Sequence, residues 1–554
     1  MVTRRDLLTY ASFTAALAAL GITPEAFAAQ KLQLGEEAAF SFDSLIKQAE
    51  ALAKTDYVPP VTLTDAALAN INYDVYRKII YNPDYALFSQ SPSRYPVTFF
   101  SVNGLHKTPV KMSVVDKNRA REIVQDIRYF TFPDSKTGAD KKTGALPDIK
   151  GNVFIGFRVL DSQQTLKAGS EKDWVSFLGA SYFRAVGELG QFGLSARGIA
   201  INTVQGDMPE EFPEFTHFWF ETPHSDSNQL TVYALLDGPS LCGAYRFVLQ
   251  RTKGVVMDVD CSLFIRRDIQ RFGIAPQTSM FWFSKMAKGS ASDWRPEVHD
   301  SDGLAMWTGS GEHIWRPLNN PLDVRVSAFA DNNPRGFGLM QKDRNFSSYL
   351  GSVGYERRPD LWVEPKGEWG EGAVQLVEIP TDDEIYDNIV AMWVPKALAK
   401  AGSQHQFSYR LHWLADEPYP STLARCGATR LGRGGNPGSY PGGGARKFML
   451  EFSGKVLDEL PDGVKPEAVV SHSRGKIEEI KVEKSPGNNK NWRVFFDLHF
   501  GDKDAKGEDK DQHVEGKEPV ELALYLRVGD RLLSETWMYQ YLPFESSPRP
   551  LQGV

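Results

Sequence analysis

The sequence predicts a large, mostly β protein. Three observations carry that reading. Apolar, β-branched and aromatic runs recur, as at 153–159, 230–236 and 324–329. Gly, Pro, Asn and Asp breaks separate them, the pattern of many short strands joined by turns. No repeat of fixed period is present, so a solenoid or propeller is not indicated.

The elements follow in chain order. Arg4 and Arg5 precede an uncharged run, rich in Ala and Leu, over 10–22. The run ends near Ala26-Phe27-Ala28, a small-x-small exit. A cationic start, an apolar middle and a small-residue exit predict a signal peptide over 1–28. The paired arginines read as a twin-arginine address, which exports folded cargo. A membrane anchor would need about 20 apolar residues, more than this run offers. Phe42, Leu45, Ile46, Ala49 and Leu52 fall at helical spacing and predict a short amphipathic helix. Strands follow to about residue 395, giving an expected first domain over 39–395. The segment 396–406 has no aromatic or β-branched residue and reads as a linker. Strands resume at 407, so 407–545 is expected to be a second, smaller β domain. The Gly-rich stretch 427–444 lacks a G-K-[ST] and is no P-loop. It reads as a surface loop or as a mobile lid. The polar stretch 501–517 reads as a solvated hairpin loop.

Composition narrows the function classes. Net charge is −7, with 63 Lys and Arg against 70 Asp and Glu, which disfavours nucleic-acid binding. Aromatics make up 12% of the 554 residues. They suit either sugar binding or β cores, and composition does not choose between these. The three cysteines, Cys242, Cys261 and Cys426, form no C-x-x-C. Cys242 and Cys261 lie in neighbouring strand-like runs and either pair or stay buried thiols. No ligand spacing supports a metal, and no cofactor motif is present.

The serine-hydrolase elbow and the zinc helix are also missing. What remains is carboxylate chemistry at two acidic places. One is 295–304, with His299, Asp300 and Asp302 before Gly303 and with Trp294, Trp307 and Trp315 close in sequence. The other is 378–390, with Asp382, Asp383, Glu384 and Asp387 ahead of an apolar run. Glycoside cleavage needs one carboxylic acid for the leaving oxygen and one carboxylate for water or direct attack.

The wording of several strings is specific. They are 177–185 (Phe-Leu-Gly-Ala-Ser-Tyr-Phe-Arg-Ala), 233–237, 296–303, 315–321 (Trp-Arg-Pro-Leu-Asn-Asn-Pro), 336–339, 387–390 (Asp-Asn-Ile-Val) and 534–537. Through them the chain resembles the OpgG/OpgD (MdoG/MdoD) family of periplasmic glucan biosynthesis proteins, from about 40 to 543. The resemblance implies a galactose-mutarotase-like β-sandwich followed by an immunoglobulin-like domain. It implies a role in making osmoregulated periplasmic glucans and an anomer-inverting endo-β-1,2-glucanase activity on their backbone. Asp387 matches the family's general acid and Asp300 its general base, with an indirect proton relay that Tyr349 or Tyr355 would help shape. Asp302 rivals Asp300, and His299 reads as an orienting group. Arg184 and Arg316 are candidate cleft or structural donors. Trp294, Trp307, Trp315 and Trp362 are candidate sugar platforms or core residues. The twin arginines, 428–432 and 537–541 are similar to OpgD, whereas 295–298 and 377–381 are similar to OpgG. Expected partners are β-1,2-glucan and the membrane glucan synthase, and homodimerisation is compatible with the sequence. A transglycosylase and a non-catalytic escort of the synthase are the competing readings.

Overall fold

A computed structural model of the chain describes residues 32–68, 71, 73–76, 78–89, 95–132, 149, 151–161, 172–224, 227–290, 293–438, 445–499 and 518–542. The expected signal peptide, the 439–444 part of the Gly-rich stretch and the polar stretch 501–517 lie outside the described residues. The described chain is mostly β, as expected, and divides into two compact units.

The first unit comprises residues up to 41, 60–179 and 216–230. In one sheet the strand Arg119–Ile123 pairs antiparallel with Leu34–Ala39 and with Lys111–Asp116, and 217–221 joins the latter in parallel. In a second, Phe154–Leu160 lies antiparallel between Val97–Ser101 and Asp173–Leu178. Aromatic rings fill the interior. Phe99 stacks on Phe154 with centroids 4.4 Å apart, and Phe157 meets Phe177 at 4.8 Å and Phe220 at 4.8 Å. Such offset and edge contacts suit the ring quadrupoles.

One buried side chain stitches this unit. The Gln125 amide donates to the Val110 carbonyl at 2.7 Å. Its oxygen accepts from the backbone N–H groups of Val153 at 2.8 Å and Phe154 at 2.7 Å.

The second unit comprises 42–59, 180–215 and 231–554. The predicted helix forms at Phe42–Ala53 and buries Leu45 and Ala49. A long sheet runs in the order Leu241–Arg251, Val255–Ile265, Gln404–Leu414, Asp360–Lys366, Gly336–Met340, Gly303–Trp307, His313–Pro317, Thr536–Tyr541, Val520–Val528 and Glu467–His472. A second sheet runs Arg325–Asn332, Glu371–Glu378, Ile389–Pro395, Phe272–Ser279, Ser195–Arg197 and Tyr182–Ala185. A third has four strands, Arg425–Arg433, Arg446–Ser453, Asn488–His499 and Lys476–Ser485. Phe448, Leu450, Val494, Phe496, Leu522, Leu524, Trp537 and Tyr539 pack together from the third sheet and the last strands of the first. This is a second sandwich in the C-terminal part of the chain.

Its boundary differs from the sequence expectation. The strand expected to open the second domain, Gln404–Leu414, pairs on one edge with Val255–Ile265 and on the other with Asp360–Lys366. Tyr409, Leu411 and Trp413 are buried at alternate positions of it. Local composition marked 396–406 as a break, but strand partners set a domain's edge, and these come from far along the chain. Cys242 and Cys261 are free buried thiols. The register places Cys242 opposite Phe264 and Cys261 opposite Tyr245, so the sulfurs do not face each other.

Replacing Gln125 by Leu removes partners from three buried backbone groups. The expected loss is about 3 kcal/mol, at about 1 kcal/mol or more for each group left unpaired. It is read as a lower urea midpoint with faster amide exchange at Val153 and Phe154. An unchanged midpoint would show that Gln125 does not stitch the unit.

Candidate active site

The candidate carboxylates are set by a short chain of backbone pairings. Phe281–Phe283 and Val298–His299 form a two-stranded ribbon in which Phe281 faces His299. The Asp300 N–H donates to the Met280 carbonyl at 2.8 Å. Asn388 then clamps the same ribbon. Its carbonyl oxygen accepts from the Phe281 N–H at 2.8 Å, and its amide donates to the carbonyls of Phe281 and Ile379, each at 2.9 Å. Asp387, before Asn388, and Asp300, after His299, are thereby carried on segments tied to one dipeptide pair.

The two carboxylates sit in different surroundings. Asp300 is 7% exposed, and its Oδ1 lies 3.0 Å from Arg358 Nε. That contact has ion-pair distance without hydrogen-bond alignment. Burial pushes Asp300 up to about 6, with the charges of Asp387 and Glu384 adding to it and Arg358 and His299 opposing. Asp387 is exposed. Desolvation raises its pKa, against the charges of Arg197, Arg184 and Arg358. Asp382 and Asp383 do not contribute to that shift, and Glu384 acts on Asp300 instead.

The other expected residues separate into three groups. Some bear on the carboxylates. Tyr355 donates to Glu384 Oε2 at 2.5 Å, and Glu384 also takes Arg295 Nη1 at 2.7 Å. Arg358 lies over the Tyr355 ring at 5.2 Å and donates to the Phe192 carbonyl at 2.5 Å. Arg184 is exposed and stacks over Phe192 at 4.7 Å. Trp294 is 70% exposed beside Arg295, whose guanidinium Asp293 grips through both carboxylate oxygens at 2.9 Å.

A second group supports the site from behind. His299 is fully buried, and its Nδ1 lies 2.8 Å from Gln341 Oε1. Burial opposes its charge, but Glu297 and Asp302 outweigh that, so its pKa is raised. Asp302 Oδ2 accepts the backbone N–H groups of Lys342 at 3.0 Å and Asp343 at 3.1 Å. It fastens a loop through this oxygen. Tyr349 donates to the Asp343 carbonyl at 2.8 Å and is buried.

A third group is core. Arg316 is buried and pairs with Glu378 at 3.1 Å. Trp315 and Trp362 are buried in the C-terminal cluster, and Trp307 packs against it while stacking on His313 at 5.2 Å. Of the two readings open for these rings, Trp315 and Trp362 are buried and Trp307 is partly buried against the same cluster.

Sequence reasoning missed Arg358, Arg197 and Arg295. Arg197 donates to Glu210 at 2.7 Å and lies over the rings of Tyr182 and Phe212. It carried no sequence signal. The other two did. Arg295-Pro296, Arg316-Pro317 and Arg358-Pro359 each deliver a guanidinium to a carboxylate. A residue before proline is held extended, which fixes where a long side chain starts. Among the described residues no group of three His, Cys, Asp or Glu side chains is placed to hold a metal ion.

Comparison with known proteins gives the family. The family described as "Periplasmic glucan biosynthesis protein, MdoG" matches residues 40–541. "Glucans biosynthesis protein D 2" of Ralstonia nicotianae is 58% identical over 558 residues, covering 100% of both chains. "Glucans biosynthesis protein D" of Stenotrophomonas maltophilia is 43% identical over 98% of both chains. That of Xanthomonas oryzae pv. oryzae is 42% identical over 99% of both.

The Asp300 shift makes a stability prediction. Its folded pKa lies above the unfolded value near 4, so the folded state binds the extra proton between about pH 4 and 6. Stability from this group is present at low pH and is lost as pH rises through 6. Asp300→Asn is therefore expected to stabilise the protein at pH 7, by up to about 3 kcal/mol for a shift of roughly two units. The gain should vanish near pH 4. Thermal melts at both values test it, and a variant less stable than the parent at pH 7 contradicts it.

Proposed function

The chain belongs to the MdoG family of periplasmic glucan biosynthesis proteins, and on that premise we propose that it is an inverting endo-β-1,2-glucanase. Its substrate is the backbone of osmoregulated periplasmic glucans, and the twin-arginine address takes it to the periplasm. The observation that carries the reading is the placement of two carboxyls on segments tied to one short strand. Asn388, next to Asp387, bonds both backbone groups of Phe281, and the Asp300 N–H donates to the Met280 carbonyl. Glycoside cleavage needs such a pair, one as acid and one as base.

In this mechanism Asp387, protonated, gives its proton to the glycosidic oxygen as the C1–O bond breaks. A water attacks C1 from the opposite face, and its proton passes to Asp300, directly or through intervening hydroxyls and waters. The hydrolysed chain leaves with a new reducing end of inverted configuration. Arg358 keeps the base ionised near neutrality. His299, held by Gln341, keeps the ribbon that carries Asp300 in place.

The test is direct. The mature protein is incubated with linear β-1,2-, β-1,3- and β-1,4-glucans while reducing ends and chain length are followed. Cleavage of the β-1,2 polymer alone is expected. Asp387→Asn and Asp300→Asn should each lower kcat by about 10²–10⁴-fold. Binding without cleavage of any polymer would sink the hydrolase and favour the escort of the membrane synthase. Longer products from a short acceptor would point to transglycosylation.

The pH profile gives a second check. The base must be ionised, so kcat/KM should fall below about pH 6. The apparent value belongs to the interacting pair. Arg358→Met removes the charge that favours ionised Asp300 and should move this limb to higher pH. An unmoved limb would remove Asp300 from the role of base.

A further inference from the structure

We propose that Trp294 and Tyr386 form a sugar-stacking platform beside the two carboxylates, binding pyranose rings of the glucan chain. The identity of the ligand rests on the glucanase reading above. Among the described residues the exposed aromatic side chains are Phe212, Trp294, Phe346, Tyr386 and Tyr419. Trp294 is 70% exposed and Tyr386 58%. An exposed ring on a surface loop is by itself ordinary, since much of any folded surface is apolar. The framework beneath these two is what sets them apart.

Trp294 precedes Arg295, and Tyr386 follows Glu384 by two residues and precedes Asp387. Arg295 and Glu384 are joined by a 2.7 Å ion pair. That bridge draws the two ring-bearing segments together across 89 residues of sequence. Both of its ends are braced. Asp293 takes the Arg295 backbone N–H at 2.7 Å and its guanidinium twice at 2.9 Å. Tyr355 donates to Glu384 at 2.5 Å. The 293–295 segment leads through 296–299 to Asp300, and the 384–386 segment leads directly into Asp387. The two rings are thus presented by a braced frame on the approaches to both carboxylates.

The chemistry matches a carbohydrate. A pyranose presents an apolar face of C–H groups ringed by hydroxyls. The face lies on an aromatic ring, and the hydroxyls need donors and acceptors at its margin. The Arg295 guanidinium lies 5.9 Å from the Trp294 ring centroid, and Asp387 follows Tyr386 in the chain, as in sites where a few placed polar groups fix an otherwise apolar contact. Ordering cost is low because the frame is braced before the ligand arrives.

The experiment uses the mature protein carrying Asp387→Asn, so that linear β-1,2-gluco-oligosaccharides bind without turnover. Affinity is measured by calorimetry in that background and with Trp294→Ala, Tyr386→Ala, Trp294→Phe or Tyr419→Ala added. Each of the first two should weaken binding by roughly three- to tenfold. Trp294→Phe should restore most of it, and Tyr419→Ala should change nothing. Thermal midpoints should be unaltered, because both rings are exposed. Equal affinity in both alanine variants overturns the platform. If the wild-type protein cleaves no glucan yet binding still depends on the rings, the platform stands and the hydrolase falls. If it cleaves and binding ignores the rings, the hydrolase stands and the platform falls.

Discussion

The site depends on one side chain, Asn388. Its amide group makes three hydrogen bonds, two to the backbone of Phe281 and one to that of Ile379. Phe281 is also the partner of His299. A single residue pair therefore fixes the offset between the segment that ends in Asp300 and the one that starts with Asp387. Asn388 is buried, so these bonds exchange with no solvent, and each lost one leaves a backbone group unpaired. A one-residue slip of either segment would also turn every side chain to the opposite face.

Behind that register lies a wall of buried charge. His299 is held by Gln341, whose amide also donates to the carbonyls of His299 at 3.1 Å and Tyr355 at 3.2 Å. The Gln341 N–H donates to Asp360 at 2.6 Å, and Asp360 pairs with Arg344 at 2.8 Å. Burial nonetheless pushes Asp360 up to about 7, with Arg344 opposing. Buried charged networks are costly unless every member is paired. Here they connect the backbone of Tyr355 and the ribbon of Asp300, so the cost falls on segments whose position the chemistry needs. The same economy of position explains Arg358. It touches Asp300, covers the Tyr355 ring and bonds the Phe192 carbonyl, which joins three loops through one guanidinium.

Much of this was legible in the sequence, for identifiable reasons. The β class followed from strand-length apolar runs and turn residues, which are local. The helix at Phe42–Ala53 followed from spacing. The two acidic places followed from carboxylate density, and the structure ties those two segments together through Asn388 and through Arg295–Glu384. His299 stood out as a histidine beside two aspartates, and it lies 2.8 Å from Gln341 Oε1. The tryptophans were not legible. Trp294 is exposed, whereas Trp315 and Trp362 are core, although all three stand near acidic or basic residues in the sequence. Which face of a strand a residue occupies depends on the partner strand, and that partner is distant. The boundary at 396–406 failed for the same reason: composition there is loop-like, but the strand beyond it completes the large sheet.

The sequence by itself determined the β class, the family through its long specific strings, and the candidate carboxylates. These are properties of residue identity and short-range order, which the chain carries before it folds. Only the tertiary structure decided which carboxyl is buried against Arg358, that Asp302 fastens a loop, that Glu384 serves Tyr355 and Arg295, and which aromatic rings face solvent. Those outcomes depend on desolvation and on partners dozens to hundreds of residues away. A carboxylate's chemistry is written in its neighbours, and neighbours exist only after the sheets have paired.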